Sequence, residues 1–127
     1  MVFNNSDWLA QVQEEIVDPD REIIDPHHHL WPQTDMHYNV PEFLADLTSG
    51  HNVVQTVFME CGAAYREDGP DHLKPVGETE FVAAAAAEMK AKGGPYIAGI
   101  VGHADLRSSR LEEILDAHMD AAKGLFR

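Results

Sequence analysis

The sequence predicts an α/β fold built on a parallel sheet. Three observations carry that prediction: short apolar or β-branched runs alternate with segments of helical periodicity, the runs recur about 30 to 45 residues apart, and Val53 to Glu60 is nearly continuous in apolar character. Strands covered on both faces and joined by helices imply right-handed βαβ units, about three of them in this chain.

Ser6 can cap a short helix that places Trp8, Leu9, Val12 and Ile16 on one face and ends before Asp18 and Pro19, so a helix packed on the domain is expected. Glu22 to Asp25 is a strand candidate around Ile23 and Ile24, limited by Pro26. Pro41 suits a first helical turn, Phe43, Leu44 and Leu47 follow at helical spacing, and Gly50 supplies a stop. A strand from Val53 to Glu60 leads into a loop, Cys61 to Gly77, with two prolines and three glycines. An alanine-rich helix is expected from about Glu80 to Lys92, ended by Gly93, Gly94 and Pro95. Tyr96 to Val101 reads as the third strand. Ser109 and Glu112 form a capping-box pattern ahead of Leu111, Ile114, Leu115, His118 and Met119, giving a helix to about Ala122. Leu125 to Arg127 reads as the start of a fourth strand.

The 127 residues, 44% of them hydrophobic, suffice for one folded domain, divided here into an N-terminal helical extension (1–21) and an α/β domain (22–127). A formal net charge of −13, from 22 acidic against 9 basic residues, gives no footprint for a polyanion, so nucleic acid is excluded as a partner. The longest apolar run, Phe81 to Ala87, is far shorter than the roughly 20 residues that cross a bilayer, and no basic segment precedes an apolar stretch near the start. A protein without a membrane partner, held in the cytoplasm, is expected. The single cysteine, Cys61, has no internal disulfide partner, which is compatible with that compartment. As a structural thiol it needs no activating base, and none is visible.

The segment Ile24 to Trp31 contains three consecutive histidines, His27, His28 and His29. In extended backbone, side chains two apart face the same way, so His27 and His29 can converge on one metal ion while His28 points elsewhere. Imidazole suits zinc and similar first-row ions, but two ligands leave a hydrolytic site incomplete. The competing reading is a polar turn with solvated histidines. The other two strands also end in polar residues, Glu60 after one and His103 and Asp105 after the other, and ligands gather at the carboxyl ends of parallel strands. Glu60 can equally leave the sheet for solvent, and His103 and Asp105 can instead satisfy loop backbone groups or cap the next helix. Arg66 can hold a substrate carboxylate or stand as an exposed loop cation. His37, His51, His72 and His118 lack ligand spacing and are assigned no function.

Ile24 to Trp31 resembles the Asp-x-His-x-His start of the amidohydrolase-related family of metal-dependent hydrolases, which includes lactonases and related decarboxylases. Val57 to Cys61, Val76 to Phe81 and Ile100 to Leu106 resemble the same family, so the resemblance spans most of residues 22 to 106. It implies that the chain forms the N-terminal portion, about three βα units, of a (β/α)8 TIM barrel. His27 and His29 would be its first metal ligands, for a divalent ion, zinc foremost. Glu60, Arg66, His103 and Asp105 would be candidates for substrate binding or for supporting the ligands. The family adds a histidine on a middle strand and an aspartate that assists the attacking water, and the resemblance puts both beyond Arg127, so the catalytic residues have no position here. Some members dispense with the metal.

The function so implied is hydrolysis of a lactone or a related ester or amide of a small-molecule substrate by metal-activated water. Two alternatives are a decarboxylase on the same scaffold and a non-catalytic metal-binding or interaction module. Association with further copies of the chain remains open, because strand edges and apolar faces without partners favour it.

Overall fold

The computed structural model describes residues 5–33 and 35–127, so the first four residues of the expected N-terminal extension lie outside the described residues. The elements in chain order are α1 (Ser6–Leu9), β1 (Glu22–His28), α2 (Val40–Leu47), β2 (Asn52–Met59), α3 (Val76–Lys92), β3 (Tyr96–Val101) and α4 (Leu111–Ala122), with a 3-10 turn at Asp71–Leu73 before α3. The three strands form one parallel sheet in the order β1-β2-β3. The alternation of strand and helix thus produces the parallel α/β sheet that it predicts.

The barrel implied by the family resemblance is not formed. The described residues make an open three-stranded sheet, to which Phe126 adds a single parallel bridge at Ile100. Closure requires strands tilted and staggered until the last pairs with the first. Here the outer edge of β1 has no strand partner among the described residues. The domain is instead stabilised from one side of the sheet. Phe58 and Ile100 project into a core with Leu30, Phe43, Val82 and Met89, each no more than 3% exposed. In α3 the buried positions include Ala85 and Ala86, whose small side chains allow close approach to the sheet and to α4.

Element boundaries depart from the sequence reading where local chemistry overrides pattern. β1 runs on through Pro26 to His28, because its register with β2 breaks between Asp25 and His28 and the proline falls where no ladder donor is required. α3 begins at Val76, four residues earlier than expected from the alanine run, with Pro75 immediately before it. The capping box expected at Ser109 is absent: the residue before α4 is Arg110 and makes no side-chain cap. One occurs instead at α2, where Asn39 Oδ1 accepts from Val40 N and Glu42 Oε2 accepts from Asn39 N.

The expected N-terminal helix is corrected to one turn. α1 has four residues, none buried, and Trp8, Leu9 and Val12 are 62–70% exposed. A single turn fixes several dihedrals for few hydrogen bonds, and without tertiary packing it does not propagate. No helix among the described residues is long and apolar enough to cross a membrane.

Two buried histidines belong to the core. His28 stacks on Phe43 with ring centroids 4.2 Å apart, and burial pushes its pKa down to about 4, against an opposing pull from Asp25. His118 is fully buried, stacks on Phe126, and spans α3 and the β3–α4 loop: Nε2–H donates to the His103 carbonyl at 3.0 Å and Nδ1 accepts from Thr79 Oγ1 at 2.8 Å. Desolvation lowers its pKa as well.

The unfolded chain takes up a proton on His28 near pH 6.5 that the folded chain refuses until about pH 4. The stability linked to His28 is therefore complete above pH 6.5 and is lost as pH falls through that window, by about 3 kcal/mol at most. Urea unfolding between pH 7 and 4 should show this loss, and His28→Phe should flatten the slope by up to about 1.4 kcal/mol per pH unit. An unchanged slope in that variant would refute the assignment.

Gly77, in the first turn of α3, sits where an added Cβ would lie 2.6 Å from both the Ala64 carbonyl oxygen and the Arg66 amide nitrogen. Backbone cannot retreat as a side chain can. Gly77→Ala should therefore destabilise the fold by about 1–3 kcal/mol despite alanine's better helix propensity. A thermal melt at or above the wild-type midpoint would contradict this.

Candidate metal centre

β1 delivers its three histidines to two sides of the sheet. His28 and Leu30 turn into the core, 7% and 0% exposed, while His27 stays exposed and His29 half-buried on the opposite side. Beyond Leu30 the chain is secured by an antiparallel bridge, in which Trp31 N donates to Tyr38 O at 2.8 Å and Tyr38 N donates to Trp31 O at 2.9 Å. His29 is thus held between two buried neighbours. The backbone at His27 is fixed by its amide, which donates to Asp25 Oδ1 at 3.1 Å.

The imidazoles of His27 and His29 meet edge to face, with Nε2 atoms 3.3 Å apart. Two nitrogens each about 2.0–2.1 Å from a tetrahedral zinc ion are separated by about 3.3–3.4 Å, so the pair already has the bite that such an ion requires. His29 Nδ1 lies 2.9 Å from the Met59 carbonyl oxygen at the end of β2. A carbonyl can only accept, so Nδ1 carries the hydrogen and Nε2 presents its lone pair to the gap. That is the outer-partner arrangement by which ligating histidines are oriented and made more basic. One N–H, on His27 Nε2, then lies between the two rings and donates to His29 Nε2.

The other residues proposed from sequence divide into two sets. Glu60 and His103, at the ends of β2 and β3, come together, with Oε1 and Nδ1 3.8 Å apart and both side chains 40–49% exposed. Arg66 and Asp105 are engaged elsewhere. Arg66 is gripped by Glu80 through Nε at 3.1 Å and Nη2 at 2.5 Å, which leaves less of its guanidinium for a substrate carboxylate. Asp105 accepts from the Arg107 amide and guanidinium, closing its own loop, and those bonds hold its carboxyl below the usual range. Among the described residues no group of three or more histidine, cysteine, aspartate or glutamate side chains could hold a metal ion together. The geometry brings together the two imidazoles of His27 and His29.

Sequence reasoning gave no role to Glu78. This residue of α3 is 1% exposed, and its Oε1 accepts from Ala63 N at 2.7 Å, Cys61 N at 3.1 Å and Cys61 Sγ at 3.4 Å. Burial, with Glu78 beside it, pushes the Cys61 thiol up to about 11, so the nucleophilic thiolate is disfavoured at neutral pH. An acidic residue directly after Gly77 at a helix start was the available signal, but its partners lie 15 and 17 residues away in a loop with no periodicity. His118 likewise proves to be a buried clamp, reachable from sequence only as one position on an apolar helical face.

The candidate site is thus a pair of histidines on the rim of a parallel α/β sheet, with their Nε2 atoms in contact. No family model matches the chain. It is similar to the uncharacterized protein y4mH of Sinorhizobium fredii (strain NBRC 101917 / NGR234), at 31% identity over 122 residues, covering 79% of this chain. The chain spans 37% of the length of that relative. No solved structure matches the chain.

Proposed function

We propose that this chain contributes the first two ligands of a divalent metal centre in a hydrolase of the amidohydrolase kind, acting on a lactone or a related ester or amide. The supporting observation is the 3.3 Å approach of His27 Nε2 and His29 Nε2, with His29 oriented by the Met59 carbonyl. An ion held there would supply Lewis-acid polarisation of a substrate carbonyl and a water acidified for attack. His27 and His29 would hold the ion through Nε2, the hydrogen of His27 moving to its Nδ1 so that both imidazoles stay neutral. Glu60 Oε1 and His103 Nδ1, half-exposed on the same rim, are suited to carry a proton to or from a small-molecule substrate. The net charge of −13 and the lone cysteine fit a cytoplasmic protein that attracts cations.

Full catalysis needs at least one further protein ligand. The described residues supply none beside His27 and His29, which favours, as a second reading, a module that binds metal without turnover.

Zinc or cobalt titration of the chain, followed by calorimetry and by cobalt absorbance, separates the outcomes. Stoichiometric binding that is lost in His27→Ala and in His29→Ala, yet retained in His28→Phe, is expected. Equal loss in all three would remove the half-site. Binding without metal-dependent hydrolysis of a panel of lactones, esters and amides would move the chain to the second reading, and no binding at all would remove both.

A further inference from the structure

The most deeply buried acid of the molecule is not one of the residues at the rim. Glu78 is 1% exposed, three of the donors around it converge on Oε1, and its Oε2 has no hydrogen-bond partner among the described residues. A carboxylate placed so deep costs free energy, and one left with an unsatisfied oxygen costs more. Packing alone does not explain it, because an apolar side chain would fill the same space without that penalty. Two features offset the cost. Glu78 lies in the first turn of α3, where the helix dipole favours a negative charge. It also satisfies the amides of Cys61 and Ala63, two backbone donors of a loop that has no ladder partner.

The location of those amides is the informative part. Met59 is the last residue of β2, and its carbonyl holds His29 Nδ1. Only Glu60 separates it from Cys61. The backbone from Met59 to Ala63 is therefore anchored at one end by the sheet, where Met59 aligns with Val101, and at the other by the Glu78 carboxylate. Gly77 brings α3 close enough for this contact, since it touches Ala64 and Arg66 where any Cβ would collide.

We propose that Glu78 is a positioning residue for the His27–His29 pair: by fixing the turn that leaves β2, it aims the Met59 carbonyl at His29 Nδ1 and keeps the Nε2 lone pair directed at the cation position. This inference rests on the metal-centre reading above. Glu78 touches neither imidazole, and it acts only through backbone. The same anchor sets the departure of Glu60 toward His103.

The test uses the 127-residue chain with two readouts, zinc affinity by calorimetry and the His29 tautomer from imidazole nitrogen-15 NMR without metal, with far-UV circular dichroism to verify folding. Glu78→Ala should raise the zinc Kd by about 10–100-fold, the usual effect of losing an outer partner, while His29 shifts from a single Nδ1–H tautomer to a mixture. Glu78→Gln, whose side-chain oxygen can still accept both amides, should restore the single tautomer and most of the affinity. If Glu78→Ala does not fold, Glu78→Asp decides, since its carboxylate keeps the charge but falls one methylene short and should give the same direction of change. Wild-type affinity and tautomer in a folded Ala or Asp variant would overturn the proposal. So would a Gln variant as impaired as the Ala variant, because charge would then matter and position would not. Failure of the wild-type chain to bind zinc would strike the metal-centre reading alone, while the His29 tautomer would still decide the role of Glu78.

Discussion

An extended strand sends successive side chains to opposite faces, and at the end of β1 that rule sorts three adjacent histidines into two chemical environments. His28 pairs in register with Phe58 and stacks on Phe43, on the core side. Its ring is bulky and buried, and a shift of one residue would bring His27 or His29 into the core and leave His28 on the rim. The buried neighbour of the pair thus fixes the register, and the register puts His27 and His29 together on the other face. Leu30, fully buried on the same side as His28, locks the alternation from the other direction.

The second constraint is the satisfaction of polar groups where strands end. A parallel strand leaving its sheet exposes carbonyls and amides that the ladder no longer serves. At the end of β2 three of them have a defined partner: the Met59 carbonyl accepts from His29, and the Cys61 and Ala63 amides donate to Glu78. After β3 the same problem is solved by His118, whose Nε2–H serves the His103 carbonyl while its ring lies against Gly102, where a Cβ would come within 2.9 Å of Nδ1. Side chains from α3 and α4 therefore set the loops that carry Glu60 and His103. Packing of the helices and shape of the rim are two aspects of one set of contacts.

The parts of this arrangement that were legible in the sequence are those governed by period. The β-branched run of β2, the helical spacing of Phe43, Leu44 and Leu47, and the alternation of His27 and His29 all follow from the side-chain repeat of one element. The illegible parts depend on contacts between elements. The Trp8, Leu9, Val12 and Ile16 pattern suggested a packed helix, yet periodicity supplies an apolar face without a surface to bury it against, and only one turn forms. Ser109 and Glu112 had the spacing of a capping box, but Arg110 takes the position before α4 and pairs with Glu113 instead. The barrel came from resemblance, and the open order β1-β2-β3 with helices covering one side replaces it. Glu78 was invisible because a partner 15 residues distant in an irregular loop leaves no repeat to detect.

The side of the sheet that bears the histidine pair has a consequence for its chemistry. Phe58 faces the core, so Val57 and Met59 face the other way, as does Gly99, whose hydrogen faces Val57 and the aliphatic part of Arg127. Ile24, on β1, is 58% exposed. His27 and His29 therefore stand at the upper end of a largely apolar surface, with the half-exposed Glu60 and His103 on the loops above it. An apolar surface beside the pair lowers the local dielectric, so the contacts among His27, His29 and the Met59 carbonyl are stronger than the same contacts in water. With the tautomer of His29 fixed by backbone, part of the ordering of the pair is built into the fold itself.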